Sequence, residues 1–487
     1  MKIKAGDIYT TYHKKLDCYI ACQITKVSEK NLTKLELDWV GREPLNINQL
    51  NNLKPLYKDF MYWEKSLCLI NVEKEIPKEF QYVGNIPPLI NKESRLYGTW
   101  YNSDDIYFQL RWQKIPKEKR IAFKKAMESD EEITINGNSV KLSSHRIMDK
   151  YTTPFNSTME LKLLPCLSEI ICEKWHSDLI EFLKDYPFIH ELTLINHNQK
   201  KLDFRRTSVT KLMIDMRGLE ELWLGEETEQ LLFQNEDLEN CKIYAYNNGE
   251  ELTIQFISNY NPHKELPNLK SLHGINLKNF NLNGLSSFHP YLKELRLWGT
   301  PGNIQNFSSV KEFKELERFS TYDLFGFGSS DIPTPEDLPN LNWLWLTSFP
   351  EEVAKIIKTL WKNRSGISLR ITKPRKAEWL AQNLDNPFRN WDGSEHIPIS
   401  SVKKAVNQYR KTRSELLKIT NGTEENPEIK GLEIVSNYTN TFNKMKFIET
   451  EERDEIYMAL CGILDILPDN VIDKKKLLDR FEELRDF

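Results

Sequence analysis

Leu292-Lys293-Glu294-Leu295-Arg296-Leu297 is the stretch that decides how this chain is read. Leucine stands at its first, fourth and sixth positions. The phrase recurs as Leu219-Glu220-Glu221-Leu222-Trp223-Leu224 and as Leu341-Asn342-Trp343-Leu344-Trp345-Leu346. Looser copies lie around Leu192, Leu212, Leu252 and Leu272. Side chains alternate across a strand, so the last two leucines face one way and the residue between them faces the other. Repetition of this phrase every 20 to 29 or so residues is the signature of a leucine-rich-repeat solenoid. Such stacks build long binding faces, so recognition of a macromolecule is the first functional expectation.

Working outward, strand-like cores are expected at Leu192, Leu212, Leu222, Ile243, Ile254, Leu272, Leu295, Phe319, Leu344 and Leu369. From Leu272 onward the steps are 23, 24, 25 and 25 residues, inside the repeat range. The earlier steps of 20, 10, 21, 11 and 18 are irregular. The short ones imply tight strand-to-strand turns or misassigned repeats. Leu-Pro-Asn-Leu precedes two of the strands, at 266–269 and 338–341. The expected outward residues are Trp223, Tyr244, Thr253, His273, Arg296, Ser320, Trp345 and Arg370. Glu221, Glu294, Arg318, Trp343 and Ser368 flank them, and Trp298 extends the stripe. Aromatics and arginines dominate protein-binding hot spots. The candidate protein-binding set is therefore Trp223, Tyr244, His273, Arg296, Trp298, Trp345 and Arg370, on one concave stripe. The alternative is that Trp223 and Trp345 are covered by other segments of the same chain.

The flanking sequence divides into further segments. Residues 1–115 read as β-rich and barrel-like, with strands expected at 17–27, 35–40, 60–63, 66–72 and 106–112. Residues 116–158 read as a partly helical connection. The repeat region is placed at 159–373. It opens with helical segments at 161–167 and 168–184 and carries a helix at 351–362. Residues 374–487 read as a helical domain or cap, with helices at 400–417, 450–467 and 473–485 around a polar turn at 421–430. Ser400 or Ser401 is the expected cap of the first. The fold class expected is multi-domain α/β: a small N-terminal β-rich barrel-like domain, an irregular repeat solenoid and a C-terminal helical domain.

At 487 residues the chain exceeds one ordinary core. Lys plus Arg total 67 against 71 for Asp plus Glu, a formal charge of -4 that disfavours a dedicated nucleic-acid surface. The start Met1-Lys-Ile-Lys-Ala-Gly-Asp7 lacks an apolar stretch, so no signal peptide is expected. No apolar run suits a membrane span, so no membrane partner is expected. Seven cysteines without framework spacing suggest free thiols in a reducing cytoplasm.

Catalytic and cofactor signatures are missing. There is no phosphate-binding glycine motif, and Phe325-Gly-Phe-Gly-Ser-Ser330 reads as a loop between repeats. Histidine and cysteine spacings, including His13, Cys18 and Cys22, select no metal site. His190 and His197 read as surface or turn residues. Asp203, Asp215 and Glu221 form no acid–base pair chosen by spacing. The acidic run 449–455 reads as a solvated first helical turn suited to the helix dipole. No catalytic residue, cofactor or metal is expected, and the chain reads as non-enzymatic.

The N-terminal Lys4-Ala5-Gly6-Asp7-Ile8-Tyr9, followed by the strand 19–27, resembles the immunity-protein domain of bacterial polymorphic toxin systems, group 26. The resemblance covers about the first 110 residues. The central third resembles leucine-rich-repeat proteins. Together these imply a cytoplasmic immunity protein that binds one cognate protein toxin, one to one, and blocks its active site. A scaffold or adaptor, or an enzyme reversing a toxin's modification, are the alternatives.

Overall fold

The computed structural model describes residues 3–100, 104–149, 157–235, 241–419, 426–468 and 472–487. Residues 421–425 of the expected polar turn lie outside them. The chain divides into two compact units, 1–255 and 256–487. It is mixed α/β, with a small antiparallel sheet, extensive parallel sheet and helices.

In the first unit, five antiparallel strands run in the order Leu69–Val72, Leu32–Gly41, Cys18–Val27, Asp7–His13, Gln81–Asn85. The two outermost strands do not pair with each other, so the sheet is open and the expected barrel does not close. Both faces are covered. Ile8, Ala21 and Leu35 pack on one side, and Tyr9, Cys22, Ile24, Phe80 and Trp100 on the other. Residues 60–63 form a bend and turn rather than a strand, with Met61 at φ 44°. The expected strand at 106–112 is a helix, Asp104–Lys114. Its buried residues Ile106, Gln109 and Trp112 recur every third position, the spacing of one helical face.

The expected helices at 161–167 and 168–184 are also corrected. The chain forms a short 3-10 turn, Thr158–Leu163, a strand, Glu169–Cys172, and a helix, Leu179–Asp185. The β-branched Ile170 and Ile171 favour the strand, which pairs in parallel with Arg146–Met148. Further parallel strands follow at Glu191–Leu194, Lys211–Ile214, Gln230–Phe233 and Thr253–Ile257. A separate three-stranded parallel sheet holds Lys201–Asp203, Glu221–Trp223 and Lys242–Tyr244. The chain alternates between these two sheets, which explains the short steps in the sequence. Leu212 to Leu222 and Ile243 to Ile254 are crossings between sheets. Leu231, missing from the expected cores, aligns with Leu212 and Ile254.

In the second unit, parallel strands at Ser271–Asn281, Glu294–Gln305, Arg318–Phe325, Trp343–Thr347 and Ser368–Thr372 align Leu272, Leu295, Phe319, Leu344 and Leu369 as direct neighbours. The first four are buried; Leu369, on the terminal strand, is half-buried. Helix Glu351–Trp361 buries Val353, Ala354, Ile357 and Trp361 along one stripe. Helices Ile399–Lys418, Pro427–Phe442, Thr450–Asp465 and Lys474–Leu484 enclose Trp391, Tyr438, Phe442, Leu460 and Phe481. Neither Ser400 nor Ser401 caps the first: Pro398 does, and both serines lie inside the helix. Helix Pro427–Phe442 overturns the expected polar turn over 427–430; Gly431 and the β-branched residues beyond it weaken the helical signal in the sequence. Among the described residues no helix is long and apolar enough to cross a membrane.

Candidate protein-binding face

The parallel register of the second unit turns sequence spacing into geometry. His273, Arg296, Ser320, Trp345 and Arg370 occupy one row, each aligned with the next. Two residues earlier, Ser271, Glu294, Arg318, Trp343 and Ser368 form a second row on the same face. Two residues later, Trp298, Tyr322, Thr347 and Thr372 form a third. Adjacent strands lie about 4.8 Å apart, so every row is a continuous line of side chains. The residues between, mostly leucines, point to the core, which leaves the rows on the opposite face, where the small Ser271 and Ser320 are themselves buried.

Trp343 and Trp345 are the centre of this face. Their ring centroids are 4.2 Å apart, and both are half-buried. The Arg296 guanidinium lies 5.7 Å from the Trp343 ring, and that of Arg370 lies 5.1 Å from Trp345. The Trp345 indole N–H donates to Ser368 Oγ at 3.4 Å. Glu294 accepts from Arg296 Nε at 2.5 Å and lies 3.9 Å from His273 Nε2. Burial alone would raise the Glu294 carboxyl. His273 and the Arg296 guanidinium outweigh it and hold the group at about 2. Arg318 and Arg370 are exposed and make no ion pair among the described residues. Trp298 is 45% exposed at the face's border.

The expected single stripe is split. His273, Arg296, Trp298, Trp345 and Arg370 share the face just described. Trp223 and Tyr244 lie in the first unit, on its three-stranded sheet, where they stack at 5.4 Å with Arg205 5.6 Å from the Trp223 ring. Thr253 lies on the first unit's other sheet. Sequence spacing merged these because both sheets use the same alternation. Residues on the larger sheet that share the outward phase in the first unit are Thr193, Met213, Leu232 and Gln255. Reading Leu231 as a core would have exposed this row.

Other candidates resolve into structural partnerships. Asp203 pairs with Arg205, Glu221 with Lys201, and Asp215 with Arg217. Burial would raise Asp215, but Arg217 and Asn235 hold it at about 2. His197 is buried rather than on the surface; its Nε2 lies 2.6 Å from Asp215 O and its Nδ1 accepts from Gln199 N. Phe325 and Phe327 are buried, with Phe327 stacked on Phe307 at 4.0 Å. The acidic run at 449–455 is not simply solvated. Glu452 is buried against His396 at 2.8 Å and bonds back to the Glu449 backbone, while Glu455 accepts from the Trp391 indole. Burial raises the Glu455 carboxyl.

One charged cluster escaped sequence reading. Arg389 Nε donates to the fully buried Asp323 at 2.8 Å. Arg375 donates to Asp392 at 2.9 Å and lies 4.1 Å from the Trp379 ring. Lys373 donates to Asn390 O and Ser394 Oγ. These bonds tie residues 389–394 to the strand ends, so their evident task is anchoring. No spacing in the sequence relates residues 66 positions apart.

All seven cysteines are free thiols. Among the described residues no group of His, Cys, Asp and Glu could hold a metal ion. No family model matches the chain, and no curated protein matches it.

Proposed function

We propose that the chain is a non-enzymatic protein-binding module, and that its principal recognition surface is the face around Trp343 and Trp345. The observation that carries this reading is the aligned outward array His273–Arg296–Ser320–Trp345–Arg370 with the tryptophan pair at its centre. Large, half-exposed aromatics between arginines supply apolar area and directed hydrogen bonds together, the combination that concentrates binding energy.

The strands belong to a leucine-rich-repeat solenoid in this reading. Two observations support it: the aligned cores at steps of 23 to 25 residues, and a left-handed residue four positions after four of the five core residues, Leu295 being the exception. Asn276, Asp323, Ser348 and Lys373 all take positive φ at that position. The N-terminal resemblance then makes the partner a cognate bacterial toxin domain. Binding would occlude the toxin's active site in the cytoplasm, where free thiols are stable.

The test is co-expression with the products of neighbouring genes, including the C-terminal domain of any secreted toxin. Size exclusion and calorimetry should show a one-to-one complex of about nanomolar affinity or tighter, with toxin activity abolished. If every soluble neighbour fails to bind, the immunity reading falls.

A further inference from the structure

We propose that the face around Trp343 and Trp345 selects an acidic protein surface, one in which two carboxylates bracket an apolar or aromatic side chain. This rests on the protein-binding reading of the same face and adds the chemistry of the partner.

Charge on the face is distributed unevenly. Glu294 engages both Arg296 and His273, so that corner is already neutralised. Arg318 and Arg370 are left exposed, with no carboxylate partner among the described residues. They stand on the two strands that flank Trp343–Thr347, in adjacent rows. Two strand spacings and one two-residue step separate their backbones by about 12 Å, with the tryptophan pair between them. Arginine presents a planar fork that matches a carboxylate in a bidentate bond. Trp343 and Trp345, carrying no charge, offer the apolar contact in the middle.

The local charge is not a by-product of composition, because the whole chain carries a formal charge of -4. A nucleic-acid strand fits less well. It requires a continuous basic groove along successive phosphates, and the third free cation of such a track is replaced here by the neutralised Arg296–Glu294 corner.

The full chain is titrated with three probes: a short peptide with a central phenylalanine flanked by glutamates, its glutamine counterpart, and a single-stranded oligonucleotide. Intrinsic tryptophan fluorescence and the indole N–H resonances report binding. The glutamate peptide is expected to bind with an affinity on the order of 0.1–1 mM. The glutamine peptide and the charge reversals Arg318→Glu and Arg370→Glu should each weaken it about tenfold. Both arginines are exposed, so these variants should keep the circular dichroism of the parent. A lysine-flanked peptide should recover binding to the doubly reversed variant. Equal binding of the glutamine peptide, tighter binding of the oligonucleotide, or no binding of the glutamate peptide each overturns the acidic-partner assignment. A one-to-one complex with a cognate partner that is still lost on Trp345→Ala would then preserve the protein-binding reading. A complex indifferent to Trp345→Ala would remove that reading itself.

Discussion

His289 shows how burial fixes the chemistry of a single residue. It is fully buried, with Nδ1 2.9 Å from Leu266 O and Nε2 3.0 Å from the Tyr260 hydroxyl. A neutral ring satisfies both contacts, donating from Nδ1 and accepting at Nε2. Burial lowers its pKa from 6.5 to about 4. The unfolded chain therefore takes up a proton near pH 6.5 that the folded chain refuses until about pH 4. Its stabilising contribution is complete above pH 6.5 and is lost as pH falls toward 4. The full effect is about 3 kcal/mol. Urea midpoints between pH 7 and 4 should fall less steeply for His289→Gln than for the parent, and parallel slopes would refute the assignment. Trp345 makes the opposite kind of prediction. It is half-buried, its indole N–H donates to Ser368 Oγ, and its ring contacts are with Trp343 and Arg370 of the same face, so Trp345→Ala should cost partner affinity more than thermal stability. Calorimetry beside a melting curve separates the two, and an equal loss of folding would place Trp345 in the core.

Strands of the second unit depend on what fills the space between them. Leu295 is fully buried and aligned with Leu272 and Phe319. Leu295→Ala should cost roughly 2–5 kcal/mol by chemical denaturation. Gly299 follows the same strand core for a different reason. A Cβ there would sit 2.2 Å from Asp323 O and 2.7 Å from Gly302 N, so neighbouring backbones need the missing side chain. Gly299→Ala should destabilise by roughly 1–3 kcal/mol, and a neutral substitution would show that these backbones separate easily. Legibility also varies by element. Strands from Leu272 onward were readable because one strand per repeat keeps a steady step. The helix 104–114 was not, because its aromatic-rich sequence imitates a strand while its buried positions follow a three-residue spacing. The tryptophan face was half readable: alternation placed its residues outward, but alternation is identical on both sheets of the first unit.

At the scale of the whole molecule, net charge and local charge oppose each other. A chain of formal charge -4 should repel an acidic partner at long range, whereas Arg318 and Arg370 attract it at contact. Screening acts over about 8–10 Å near physiological salt, so contact charges and distant charges respond differently. Raising ionic strength from low to physiological values should first relieve the global repulsion. Beyond that, higher salt should weaken the complex through its arginine contacts. Stopped-flow association and dissociation rates across a salt series check this; a complex insensitive to salt would show that the arginines do not touch carboxylates.

By itself the sequence determined the alternation of buried leucines, the repeat step from Leu272 to Leu369, the odd count of seven cysteines and the near-neutral charge. Each is a local property, readable within one strand or from composition. Only the tertiary structure decided which outward residues share a face. It put Trp223 and Tyr244 on one sheet and the Trp343–Trp345 pair on another. It also paired Arg389 with Asp323 and drew Glu452 to His396. These outcomes depend on register and on contacts between distant segments, and side-chain alternation along one strand carries no information about which strand lies beside it.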